Sequence, residues 1–473
     1  MVRLTDRSGR PVNRLPRPPE PLRRAVAWLL APPASLRRGP FRPDAFSGDR
    51  RSTRLTGQLG LLLGAAFAIC FVTGLLSHLA QHPNRWLPWP PGPAGLYRCT
   101  QGLHVATGLA TVPLLGLKLW SVYPRLFQWP PVRGLGHAAE RASVAVLVVA
   151  ALFQVLSGVL NIAHWYAPMP FFFTTAHYWM AWLAAGALLT HIGVQLPITR
   201  EALRRRRSDP AIPVGAADSG SPVDSVDSGS PVDAAIPGGA AGPVHPAGPV
   251  HPAGPVHPAG PVDSASPAGR TDAAGRREVL VAGAVAAGVI TVATLGQTVR
   301  PLAGISLLAP RRPGTGPQGL PVNSTALGAG VRDAALDPGY RLTVTGFDRT
   351  VSLSLPDLHA LELHTSVLPI ACVEGWSSTG TWTGVPLIDL LAMIAVTPDG
   401  CEAVVESLQS GGRYRTSIVQ EGHLADRRTL LALRLGGEPL APDHGFPARL
   451  IAPNRPGVLQ TKWVNRITVR RAG

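Results

Sequence analysis

The sequence predicts a multidomain membrane protein: an all-α transmembrane four-helix bundle, a fifth transmembrane helix, and then a mixed α+β domain. Three observations predict it. Five apolar runs are long enough to cross a bilayer, at about Gly57–Ala80, Leu103–Tyr123, Ala142–Ala163, Thr175–Leu196 and Val279–Gly296. Arginines and lysines alternate in density between successive connections, as the positive-inside rule requires. Beyond the last run, β-branched alternation and short helical stretches take over, with turn residues every ten or so positions. A chain of 473 residues accommodates two or three such domains, and 45% hydrophobic against 15% charged residues departs from a soluble average.

Residues 1–50 are rich in Arg and Pro and lack helical periodicity, which predicts a disordered basic cytoplasmic arm. The net charge of +16 would suggest a nucleic-acid partner if it formed one patch. It does not. Basic residues crowd the segment before the first run, the stretch from Lys118 to Arg141, Arg204–Arg207, and Arg270–Arg277. The connections after the first and third runs hold few, chiefly Arg85 and Arg98. This pattern keeps the amino terminus in the cytoplasm of a bacterial cell, delivers the tail outside, and makes lipid rather than nucleic acid the partner.

Residues 51–203 hold the four-helix bundle, joined by short connections. Histidine in lipid is costly and marks function. The fourth run carries His177 and His191, fourteen residues apart and therefore on one face, separated by roughly 21 Å at 1.5 Å per residue. The second run carries His104 near its outer end, level with His177. Two neutral imidazoles facing across a bundle suit a b-type haem iron, and Gly102, Gly108, Ala181, Ala184 and Ala185 leave room for a macrocycle. His78 and His164 lie near the outer face beside Trp86, Trp89 and Trp165, as interfacial anchors or as part of a quinol pocket.

This stretch resembles the four-helix b-type cytochromes that serve as membrane subunits of bacterial formate dehydrogenases and hydrogenases. The resemblance implies a haem b held by His104 and His177, and a second, inner haem using His191. The family's partner histidine at the start of the first span is missing, since Ser52 to Gln58 holds none; Lys118, level with His191, is the alternative ligand.

Residues 204–275 shift to Pro, Gly, Ala, Ser and Asp, and Ala-Gly-Pro-Val-His-Pro recurs through His245, His251 and His257. Proline at that density favours extended geometry, so this is a cytoplasmic linker whose histidines belong to the repeat. Residues 276–300 form the fifth span, preceded by Arg276 and Arg277. An arginine pair before such a run is either a positive-inside pair or resembles a twin-arginine export signal.

Residues 301–473 contain the α+β domain, with Arg341–Thr345 and Ile467–Arg470 as strands and Leu387–Ala395 as a helix. Its most informative residue is Cys372, in Leu368-Pro-Ile-Ala-Cys-Val-Glu-Gly-Trp376, followed by Trp382-Thr-Gly-Val-Pro-Leu387. The other cysteines, Cys70, Cys99 and Cys401, show neither CxxC nor zinc spacing. Further motifs are Glu406-Ser-Leu-Gln409, Asp443-His-Gly-Phe-Pro-Ala-Arg-Leu450, Gln460-Thr-Lys-Trp463 and Pro321-Val-Asn-Ser324. Together they resemble the sulfite-oxidase-type molybdopterin fold across about residues 320–470, and within it the periplasmic methionine-sulfoxide reductase branch.

The resemblance implies a molybdenum–molybdopterin cofactor. Cys372 would be the catalytic metal ligand, with Glu374 and Trp376 completing its signature. Asn323, Ser407, His444, Arg449, Gln460 and Lys462 would hold the pterin and its phosphate. The chemistry agrees: a phosphate suits a guanidinium and an ammonium, and a thiolate suits a soft metal centre. The chain departs from true sulfite oxidases in ending soon after the Lys462 loop, where those continue into a dimerisation domain. Arg413 and Arg415 are open between substrate binding and a solvated strand face. The expected function is a membrane-anchored oxidoreductase passing electrons between a quinol, the haem bundle and an extracytoplasmic molybdenum centre, with a small-molecule oxo donor or acceptor as substrate. Reduction of an S- or N-oxide leads; oxidation of a sulfite-like anion into the quinone pool and a non-catalytic electron relay are the alternatives.

Overall fold

A computed structural model of the protein describes residue 20 and residues 51–84, 86–128, 132–204 and 268–472. The basic arm and most of the linker, with His245, His251 and His257, lie outside the described residues.

Five long helices come first: α1 (Thr53–Gln81), α2 (Leu96–Leu126), α3 (Leu135–Ile162), α4 (Phe173–Arg204) and α5 (Ala268–Leu295). Ser52 caps α1, its hydroxyl accepting from the Leu55 amide at 3.2 Å. Among the described residues, four helices are long and apolar enough to cross a membrane: α1, α2 through Arg125, α3, and α5 from Gly275. The fourth predicted run folds as α4 but is not one of those four, although Trp179 and Leu189 are 65% and 70% exposed on its surface. Exposed leucines and valines on α1, α3 and α5 form the same kind of apolar exterior.

The helices pair as α1 with α2 and α3 with α4, α1 also touches α4, and α5 lies along the outside of α2. Gly283 of α5 makes that last contact close, since a Cβ there would sit 2.5 Å from Leu117 Cδ1. The two hairpins leave a large apolar space between them.

The C-terminal region folds as two sheets. The first has the order β2 (Thr350–Ser354), β1 (Arg341–Thr345), β10 (Val464–Arg471), β5 (Cys401–Ser407), β6 (Thr416–Gln420). Its β1 and β10 are parallel neighbours, and the other pairings are antiparallel. The second sheet runs β3 (His364–Ala371), β4 (Ser377–Pro386), β7 (Leu430–Leu435), β8 (Glu438–Pro439), with β9 (Arg449–Ile451) also on β7. Strict alternation along β5 turns Cys401, Ala403 and Val405 inward. They meet Val385, Leu431 and Leu433 of the other sheet and Leu387, Leu390 and Leu391 of α6 (Leu387–Met393), forming one core. Cys401 is therefore a core residue, while Cys99 is exposed.

A second apolar cluster positions the site. Leu368, Ile370, Trp376 and Trp382 pack with Cys372 itself, so the end of β3 and its turn are anchored on both sides. Trp382 is fully buried; its truncation to alanine would cost about 3–5 kcal/mol.

Candidate active site and the cavity beside it

Cys372 follows the last residue of β3 in a tight turn: its amide donates to the Trp376 carbonyl at 2.9 Å, and the Gly375 amide returns to the Cys372 carbonyl at 3.0 Å. Gly375 has φ +92°, which glycine tolerates and side chains resist. Asn323 clamps the turn from the start of the domain, its Nδ2 donating to Cys372 Sγ at 3.0 Å and its Oδ1 accepting from Trp376 Nε1 at 3.1 Å. Burial, and then the charge of Glu374, pushes the Cys372 thiol up to about 12. Such a sulfur becomes a thiolate only under a stronger pull, which a bound metal cation supplies.

Close to this sulfur lies a pair of cations. Gly445, at φ +108°, lets two chain segments approach so closely that a Cβ there would stand 3.1 Å from Lys462 Cβ and 3.2 Å from Arg449 Cβ. Arg449 is buried; its NH1 donates to the His444 carbonyl at 3.2 Å, its Nε makes no hydrogen bond, and its guanidinium lies 5.4 Å from the Trp382 ring centre. Burial pulls its pKa down to about 9. Lys462 Nζ donates to the Ser324 and Asp443 carbonyls, and burial followed by the repulsion of Arg449 lowers it to about 7. Two crowded cations, one with an idle donor, fit a buried anion such as a phosphate.

The remaining predicted residues divide. His444 is buried, its Nε2 on the Pro317 carbonyl at 2.7 Å, with its pKa lowered to about 4 by burial. Gln460 donates to the Ala452 and Arg455 carbonyls and leaves Oε1 without a partner. Ser407 is buried at the end of β5, where its hydroxyl accepts from the Gln409 amide. Asn323 meets the thiol. Glu374 points away from these residues toward the helices, with Oε1 at 3.3 Å from both His164 Nδ1 and the Tyr166 hydroxyl. Burial raises the Glu374 carboxyl despite His164. Arg413 stacks on Phe172 at 4.1 Å.

Among the helices, His104 and His177 come together with ring centres 6.2 Å apart and planes at 76°. Each ring is held at Nδ1: His104 on the Cys70 carbonyl at 2.8 Å, His177 on the Ser157 hydroxyl at 3.0 Å. That leaves the Nε2 atoms for a ligand, the usual division of labour in a metal-binding imidazole. Metal–imidazole bonds of about 2 Å on both rings are compatible with that centre-to-centre distance. Both line a cavity of about 1430 Å³ that is also lined by Lys118, His191 and His78. Lys118 Nζ donates to the Thr56 carbonyl at 2.7 Å. His78 stacks on Tyr178 at 3.7 Å.

The seam between the two halves has no signature in the sequence. Val373, next to the cysteine, also lines the helical cavity. Its carbonyl accepts from Gln101 Nε2 at 3.0 Å and from Asn161 Nδ2 at 3.1 Å. The Ser377 amide donates to the Gln297 carbonyl, and Thr298 Oγ1 donates to the Gly375 carbonyl. At the rim, Asn454 accepts from the Tyr97 amide and donates to the Pro90 carbonyl. These are amide and hydroxyl side chains without a motif; the one available signal was Gln101, one turn before His104.

Residues 330–472 match the family model of the oxidoreductase molybdopterin binding domain. This part of the chain is a molybdopterin-binding oxidoreductase domain of sulfite-oxidase type. Mouse mitochondrial sulfite oxidase is 33% identical over 162 residues, 28% of this chain and 30% of that one. Nitrate reductase 2 (NADH) of Phaseolus vulgaris is 40% identical over 107 residues, 20% of this chain and 12% of that one. A solved sulfane dehydrogenase of Paracoccus pantotrophus aligns over 29% of this chain and 39% of that one, at 24% identity and a TM-score of 0.27. The chain spans under a third of the length of the sulfite oxidases it matches. The molybdopterin domain thus lies against a helical region that the family match does not cover.

Proposed function

We propose that this is a membrane-anchored molybdopterin oxidoreductase in which a haem b bundle, fed by a membrane quinol, exchanges electrons with an extracytoplasmic molybdenum centre that reduces an S- or N-oxide. The observation that carries the enzyme reading is the buried Cys372 sulfur, clamped by Asn323 beside Lys462 and the buried Arg449, whose Nε has no partner. When bound, the molybdenum–pterin group supplies two-electron oxygen transfer, and haem b supplies one-electron steps.

The chain's own residues bind and orient. Cys372 offers the soft sulfur ligand, and Asn323 fixes its direction. Arg449 and Lys462 neutralise the pterin phosphate, while Gly445 permits their approach. Ser407, His444 and Gln460 line the rest of the pterin site as buried hydrogen-bonding groups. In the bundle, Cys70 and Ser157 hold His104 and His177 as Nε2 ligands for haem iron. His191, with Lys118 as the other ligand, would hold a second haem in the part of the same cavity that these two residues line.

A second reading has a specific basis. The relatives include proteins named sulfite oxidase, which favours oxidation of a sulfite-like anion with electrons leaving toward the quinone pool. One assay separates the directions: purified holoprotein with methionine sulfoxide, other S- and N-oxides and sulfite, under reducing and oxidising dyes. Molybdenum content tests the enzyme itself. The parent should carry the metal and Cys372→Ser should lose it; equal content in both sinks the assignment. His104→Ala and His177→Ala should each abolish the b-type absorption, and an unchanged spectrum removes that pair.

A further inference from the structure

The seam between the halves has one feature that domain docking alone does not demand. Of all the surface the catalytic domain could press against the helices, it presents the turn that bears Cys372. Gln101 and His104 are one turn apart on α2, and both line the cavity. The Gln101 amide is oriented from both ends: Oε1 accepts from Ser77 Oγ at 2.7 Å, and Nε2 donates to the Val373 carbonyl at 3.0 Å. Val105, next to His104, fills the space where a Gly375 side chain would begin, 2.6 Å from that Cβ position. On the other hairpin, Asn161 reaches the same carbonyl one turn after Ser157, which holds His177. That second route needs an extra hydrogen bond before it reaches an imidazole.

We propose that Gln101 is the electron-entry contact of the catalytic domain, linking the helical turn of His104 to the backbone beside Cys372. The inference rests on the haem and molybdenum reading above. Electronic coupling falls steeply across empty gaps and less steeply through bonds. Gln101 supplies a continuous path: the α2 backbone, its own side chain, one hydrogen bond, and the Val373–Cys372 peptide. Each transfer would move one electron, lost by the haem that His104 and His177 would hold and gained by the centre that Cys372 would hold, with no bond or proton changed at Gln101. The same contact serves the reverse direction.

The test is intramolecular electron transfer in the full-length holoprotein, started by flash photoreduction with deazariboflavin and followed at the b-type absorption band. Gln101→Met keeps the volume and removes the donor. It should slow equilibration between haem and molybdenum several-fold, with the haem spectrum, the molybdenum content and dye-driven turnover unchanged. Gln420→Met, which removes a side-chain amide hydrogen bond to the Asn84 carbonyl elsewhere on the seam, should transfer at the parent rate. Parent-rate transfer in Gln101→Met overturns the proposal. So does equal slowing in both variants, because that result means general loosening of the seam. A parent with no b-type band or no molybdenum sinks the reading beneath it, and is seen before any flash.

Discussion

A guanidinium buried without a carboxylate is costly, and Arg449 is one. Its cost makes sense as preparation for an anion, so Arg449→Ala should lose most of the molybdopterin while leaving the fold intact. Cofactor released on heating measures the first, and thermal unfolding the second; full retention of pterin would assign the phosphate elsewhere. Lys462→Met should weaken retention by about tenfold or more, because a charge-assisted contact is lost. Gly445→Ala should resemble it, since the new methyl pushes Lys462 and Arg449 apart. Acid sensitivity belongs to the buried imidazoles. Burial lowers His423 and His444 from 6.5 to about 4. As pH falls from about 6.5, the unfolded chain takes up these protons first, so the stability present above 6.5 declines down to about pH 4. His423→Gln should flatten the slope of unfolding midpoint against pH in that window, and an unaltered slope would point to other groups.

At the scale of elements, the helices were legible because a run of about twenty apolar residues has few alternatives. Their ends were less so: α2 begins at Leu96 rather than Leu103, because Tyr97 and Gln101 find partners in the catalytic domain rather than in water. Span direction put His104 level with His177, and their rings do face each other across the hairpins. The sheet order was not, since β1 pairs in parallel with β10 more than a hundred residues on, and no local period encodes that. Asn323 and Glu374 belong to motifs readable in the sequence, yet what each touches depends on neighbours far along the chain. The Cys372 turn is the element that carries most. Gly375→Ala should strain φ and strike Val105 and Gln297 together; we expect about 1–3 kcal/mol lost from unfolding stability, measured by denaturant titration.

For the whole molecule, α5 lies against α2 and not across the cavity. The α5 helix therefore leaves the wall of the cavity between the two hairpins to the other four helices. If Arg276 and Arg277 act as an export signal, changing both to lysine should leave the tail protected from protease added to intact cells. A tail still cleaved would make them a simple topology pair. Under the membrane reading, the apolar exterior of the helices and the polar seam above them set the depth at which the protein sits.

Val105 and Gly375 also carry a consequence for anyone recombining these modules. The knob is on one half and the dent on the other, so neither position can drift alone. A chimera that borrows a foreign catalytic half with any bulkier residue at the dent should assemble poorly until the valine is trimmed to match.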